Sequence, residues 1–199
     1  PGHQVRIVDA DNREMPDRKE GRLQFKGPSA TSGYFRNKEQ TGRLFCGEWL
    51  ETGDLGYIAE GEIYLTGRQK DIIIRGGRNV YPHELEDIVG EITGIRKGCT
   101  AVFAGGKKDS TGERLVILTE SRIRDDEKLN RLKKEVNRAT IDLLGMGADE
   151  VIISPPGTVL KTSSGKIRRS ACRQLYESGN IGRKKATVQL QLFRMGVAS

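Results

Sequence analysis

Gly67-Arg68-Gln69-Lys70-Asp71-Ile72-Ile73-Ile74-Arg75-Gly76-Gly77-Arg78-Asn79 divides the sequence into two kinds of pattern. Before it, residues 5–8, 21–26, 48–52, 55–58 and 62–66 alternate in polarity or are rich in β-formers, with glycine-containing turns between them. One short helix fits around residues 37–43. This half predicts a small antiparallel β-barrel or a pair of sheets.

After it the spacing changes. Asp71-Ile72-Ile73-Ile74 reads as a buried strand and residues 75–79 as a loop. Pro82 opens a helix, where its missing N–H costs nothing. Leu85, Ile88, Val89 and Ile92 recur at helical spacing on one face. Strands are expected at 98–104 and 114–121. Asp125 or Asp126 caps a long helix with the stripe Leu129, Leu132, Val136, Ala139 and Leu143, and Gly145 stands where a left-handed cap belongs. A strand at 150–154, Pro155-Pro156, a loop at 161–165 and a helix over about 167–177, stopped by Gly179, complete the pattern. The fold class is α+β: the β-rich subdomain over 1–69, then a C-terminal α+β domain over 70–178 with a short central sheet flanked by helices, then a basic tail over 179–199. In that tail Val188, Leu190, Leu192 and Phe193 could begin another element.

Composition narrows the functional classes. Of 199 residues, 35% are hydrophobic and 31% charged, which is the balance of a soluble globular chain. No stretch reaches the roughly 18 apolar residues of a membrane span. Pro1-Gly2-His3 leads straight into a strand with no apolar signal segment, so the chain reads as a piece of something longer. Cys46, Cys99 and Cys172 are far apart and never form C-x-x-C, and only His3 and His83 are present, so neither a disulfide framework nor a metal site is expected. A reducing cytoplasm fits best. The net charge of +7 is spread along the chain with little aromatic interleaving, which favours phosphorylated small molecules or an acidic partner over nucleic acid.

Three segments carry more polar chemistry than packing requires. In Thr52-Gly53-Asp54 a carboxylate at a turn can accept from both hydroxyls of a ribose, or it can simply cap its own backbone. In the dividing segment Arg68 offers a planar fork to phosphate or ribose, and Lys70 stands where a few residues could absorb a domain rotation. An ordinary interdomain turn is the alternative. Lys161-Thr162-Ser163-Ser164-Gly165-Lys166-Ile167-Arg168-Arg169 is either an anion site before a helix or a capping segment on a basic helix. It is not a nucleotide P-loop, because Leu160 and Ile167 occupy positions that need Gly and Ser or Thr.

Taken in order, Thr52-Gly53-Asp54, then Gly67-Arg68-x-Lys70-Asp71 with Arg75-Gly76-x-x-Asn79-x-x-Pro82-x-Glu84-x-Glu86, then Thr162-Ser163-Ser164-Gly165-Lys166-Ile167-x-Arg169, resemble the closing motifs of the adenylate-forming superfamily of acyl-CoA synthetases, fatty acyl-AMP ligases, adenylation domains and luciferases. The stretch 71–82 resembles fatty acyl-AMP ligases and long-chain acyl ligases in particular. Leu160 departs from the family, which usually has Pro there. The resemblance implies an ATP-dependent ligase that makes an acyl adenylate and passes the acyl group to a thiol. It implies Asp54 and Arg68 at the nucleotide, Lys70 as hinge, Lys166 as the cation of the adenylating step, and Arg75, Gly76, Gly77, Arg78 and Asn79 along the thiol channel. ATP with Mg2+ would be bound mainly by an N-terminal remainder of the same enzyme. The acceptor would be coenzyme A or the phosphopantetheine of an acyl carrier protein, and the acid a fatty acid. The competing reading is a non-catalytic α+β module that docks a carrier protein or partner chain.

Overall fold

The computed structural model describes residues 2–109 and 112–181, with backbone only at 107–109 and 112. The chain divides into two compact units, 1–72 and 73 onward. Residues 182–199, which hold most of the basic tail, lie outside the described residues.

The first unit is one antiparallel sheet. β1 (Gln4–Val8) pairs with β2 (Gly21–Lys26), β2 with β4 (Trp49–Ala59), and β4 with both β3 (Phe45–Cys46) and β5 (Glu62–Arg68). The helix α1 (Lys38–Leu44) precedes β3, and its N-cap Asn37 accepts the Gln40 N–H through its side chain at 3.0 Å. The two strands expected at 48–52 and 55–58 form the single strand β4. Gly53, at φ +75°, is a turn signal in the sequence but here sits inside the strand. Register shifts between Arg22 and Gln24 and between Leu55 and Gly56 curl the sheet. A Cβ on Gly56 would lie 2.5 Å from the Tyr64 carbonyl oxygen, so only glycine lets β5 come this close. Buried Gln24 sits in a polar network: its Nε2 donates to Glu51 at 2.5 Å and its Oε1 accepts from Arg6 Nε at 2.8 Å. Two cations lie over the Trp49 ring, Arg6 at 4.2 Å and Lys26 Nζ at 4.9 Å from its centre.

A 3-10 turn, Gln69–Asp71, ends the first unit's strand pattern. Thus Asp71 and Ile72 are not strand, and Ile74, expected to be buried, is 54% exposed. The second unit opens with the hairpin β6 (Ile73–Arg75) and β7 (Arg78–Val80) in place of the expected loop. Its two central residues are Gly76 at φ +55° and Gly77 at φ +71°, the two positive angles that a tight hairpin turn of matching twist requires.

The helix α2 (Pro82–Gly90) follows, then β8 (Ile95–Asp109), β9 (Gly112–Ser121), α3 (Asp126–Leu144), β10 (Glu150–Ser154) and α4 (Arg169–Glu177). β8 and β9 are antiparallel. β9 and β10 are parallel, joined through α3 as two parallel neighbours must be. β9 is buried on both faces, which explains its unbroken apolar run. Leu115 and Ile117 face Leu85, Val89 and Val136, while Val116 and Leu118 pack with Phe103, Val159 and Cys172. Each such side chain contributes about 1.5–3 kcal/mol relative to exposure. α3 is capped as its sequence requires: Asp125 accepts the Lys128 N–H at 2.8 Å, and Gly145 adopts φ +73°. Its buried stripe runs through Leu132, Val136 and Thr140, and Leu143 faces solvent, as does Ile88 of α2.

Candidate functional site

In the first unit, Asp54 and Arg68 are brought side by side by strand register. They are direct Cα partners on β4 and β5, and Arg68 Nε donates to Asp54 Oδ1 at 3.1 Å. The Thr52 hydroxyl donates to the Leu23 carbonyl at 2.9 Å and accepts the Asp54 N–H at 3.0 Å, which ties the bulged segment down. The Asp54 side chain is 26% exposed, and among the described residues Oδ2 has no hydrogen-bond partner, so one oxygen remains free to accept from a ligand. Lys70 lies exposed in the 3-10 turn, two residues before the last residue of the first unit.

In the second unit the Lys166 segment is a closed hairpin. Lys161 and Ile167 form a bridge, and the Thr162 N–H donates to the Lys166 carbonyl at 2.8 Å. Within the hairpin the Lys166 N–H donates to the Thr162 hydroxyl at 3.0 Å, and the Gly165 N–H donates to the Thr162 carbonyl at 3.0 Å. Gly165 takes φ +85° to make the turn. Among the described residues the ammonium of exposed Lys166 has no ion-pair or hydrogen-bond partner. Ile167, expected to start the last helix, is held extended by the bridge to Lys161, and α4 begins at Arg169.

The five residues from Arg75 to Asn79 do not share one environment. Arg75 is committed: its guanidinium is paired with both oxygens of Asp149 and also donates to the Glu113 carbonyl at 3.1 Å. Gly76 and Gly77 are the exposed turn, and Arg78 and Asn79 are exposed on β7.

In the second unit the sequence did not single out Asp149 or Glu120, and it offered Glu86 and Arg169 as motif positions without their pairing. Asp149 joins β6 to β9 by also accepting the Leu115 N–H at 2.6 Å. Glu86, 8% exposed, accepts Arg169 Nε at 2.8 Å, Arg169 Nη2 at 2.6 Å and the Val102 N–H at 3.0 Å. Glu120, 1% exposed, stands two residues beyond the apolar run Leu115 to Leu118 of β9, and a carboxylate in such company is itself a signal. Among the described residues no group of three His, Cys, Asp or Glu converges for a metal ion, and no helix is long and apolar enough to cross a membrane.

No family model matches the chain. Individual proteins do. A long-chain-fatty-acid–AMP ligase of Mycobacterium marinum, FadD26, is 35% identical over 92% of the chain and 34% of its own length. A solved structure of fatty acyl-adenylate ligases from E. coli and L. pneumophila superposes with a TM-score of 0.78 at 31% identity, covering 90% of this chain and 31% of that one. McyG A-PCP, solved with phenylalanyl-adenylate, gives 0.80 at 35% identity over 90% of this chain and 28% of that one. The chain belongs to the C-terminal part of the adenylate-forming enzymes. It spans about a third of the length of the curated relatives that it matches. Its fold, a curled antiparallel sheet in the first unit and α+β in the second, matches that of these relatives.

Proposed function

We propose that the enzyme to which this chain belongs activates a fatty acid with ATP and passes it to a thiol. In the first step a carboxylate oxygen attacks the α-phosphorus of ATP, forming acyl-AMP and releasing pyrophosphate. In the second a thiolate attacks the acyl carbonyl and AMP leaves. The acceptor is coenzyme A or the phosphopantetheine of an acyl carrier protein.

The roles follow from the chemistry of the groups. Asp54 accepts from the ribose hydroxyls through its free oxygen, with Arg68 beside it as the fixed counter-charge. Lys166 places an unpaired cation on the returning arm of its hairpin, where it stabilises charge growing on the α-phosphate. Lys70 is the hinge about which the second unit turns, withdrawing Lys166 before the thiol arrives. Gly76, Gly77, Arg78 and Asn79 then line the thiol channel, and Arg75 serves there by holding the hairpin to Asp149. No cluster of the described residues is assigned Mg2+, which accompanies the ATP phosphates in the N-terminal remainder. Three free thiols suit a reducing compartment, and we place the enzyme in the cytoplasm.

The observation that carries this reading is the exposed ammonium of Lys166 without a partner among the described residues, on a hairpin closed by its own hydrogen bonds. The test is pyrophosphate exchange by the full-length enzyme with fatty acids of several lengths. Lys166→Ala should lower it about 100- to 1000-fold. Unaltered exchange would instead favour a docking module without chemistry.

A further inference from the structure

Glu120 lies two residues past the apolar run of β9 and is 1% exposed. An unpaired charge there would cost several kcal/mol, so its partners matter. Oε1 accepts two backbone N–H groups, from Gly157 at 2.9 Å and from Val159 at 2.7 Å, and Oε2 pairs with Arg96 of β8. Both amides lie in the turn that carries the chain from β10 to the Lys166 hairpin. The sequence of that turn, Pro155-Pro156-Gly157-Thr158, gives it no helix or strand ladder to satisfy them. Leu160, next along, donates its N–H to the Cys172 sulfur at 3.3 Å, and the ammonium of Lys161 reaches the Cys99 sulfur at 3.3 Å. Beyond the hairpin, Arg169 is held by Glu86. The hairpin therefore leaves and rejoins the unit through two buried carboxylates, one on each side.

We propose that Glu120 is a positioning residue for Lys166: by gripping Gly157 and Val159 it sets where the hairpin leaves the unit, so the ammonium is carried as a rigid attachment of the turning domain. The inference rests on the role given to Lys166 above. A hairpin held only at its Arg169 side would sample several positions, and a misplacement of about 1 Å can cost about 100-fold in rate.

The experiment uses the full-length enzyme with Glu120→Ala and Glu120→Gln. The glutamine retains an accepting oxygen but sets an amide NH2 against Arg96, so it should show the same effects in weaker form. Amide exchange at Gly157 and Val159 should rise about tenfold or more while Val116, Ile117 and Leu118 keep their protection. Acyl-adenylate formation should lose about 10- to 100-fold in kcat with little change in KM for ATP. Transfer from supplied acyl-adenylate to the thiol, which does not use Lys166, should stay within about threefold of wild type. Equal loss in both half-reactions, or unchanged exchange at Gly157 and Val159, overturns the role of Glu120 alone. A wild-type enzyme that forms no acyl-adenylate overturns the reading of Lys166 first. Should Glu120→Ala fail to fold, the same comparisons in Glu120→Gln decide.

Discussion

Arg169 meets both oxygens of Glu86 side-on, at 2.8 and 2.6 Å, and so fastens the first residue of α4 to α2 across 83 positions of sequence. The Glu86 side chain is 7% exposed and that of Arg169 24%, so the carboxylate cannot turn to water if its partner is removed. Arg169→Ala should cost about 2–3 kcal/mol, because it strands a buried charge that keeps only the Val102 N–H. Glu86→Leu combined with Arg169→Leu should cost less than the two single changes added together. Urea denaturation of the set measures it, and additive losses would show that the two residues are not coupled.

Gly56→Ala should destabilise the first unit by about 1–3 kcal/mol, since the added methyl meets the Tyr64 backbone. The strain falls at the register shift that aligns Asp54 with Arg68. Nucleotide affinity of the full-length enzyme should therefore drop along with stability. A variant as stable as wild type would refute the close approach of β4 and β5.

Asp54 and Lys166 should leave different kinetic signatures. Loss of a charged hydrogen bond to the ribose is worth about 1.5–3 kcal/mol, so Asp54→Ala should raise KM for ATP by about 10- to 100-fold. Lys166→Ala should act on kcat, because in the proposed role its interaction grows only as charge develops on phosphorus. If both variants altered KM alone, Lys166 would be a binding residue and no more.

Alkaline pH should loosen the second unit. Burial pushes the Cys172 thiol above its ordinary 9.0. Glu86 and Glu120 add to this, while the Leu160 N–H and Arg168 oppose it. Tyr176 is pushed above 10.0, first by donating to Glu150 at 2.7 Å and then by burial. In both cases the folded state holds its proton more tightly than the unfolded chain. The stability is therefore complete below pH 9.0 for the thiol and below 10.0 for the phenol, and is lost as pH rises through the raised values. The slope approaches about 1.4 kcal/mol per pH unit for each group. Tyr176→Phe should remove the phenol's share and cost about 1 kcal/mol at neutral pH. Denaturant titrations between pH 8 and about 11 would show it, and a flat profile in wild type would contradict it.

Half-buried Cys46 should react with a thiol reagent well before buried Cys99 and Cys172. Equal rates for the three would mean that the second unit opens readily.

Local signals were the legible ones. Asp125 and Gly145 bracket α3 because a cap is decided within a few residues. The strand expected over 114–121 is present as β9, whose Leu115 to Leu118 run is fully buried. Asp54, Arg68 and Lys166 stood out as polar groups where packing did not ask for them, but each also read as an ordinary turn or cap, and the roles proposed for them came from the motif resemblance. What escaped depends on distant neighbours. Gly53 carries the same turn signal whether it ends a strand or bulges one, and pairing of β4 with β2 and β5 decides for the bulge. Ile167 looks helical until Lys161 pairs with it. Glu120 and Asp149 find their partners 24 to 74 positions away, which no window along the chain contains.

Trp49 is the chain's single tryptophan, and its ring carries Arg6 and Lys26 over it in the first unit. Its fluorescence therefore reports on that unit alone, and separation of these cations from it would change the emission. The α+β unit is dark to the same measurement, so melting of one half can be watched while the other stays silent.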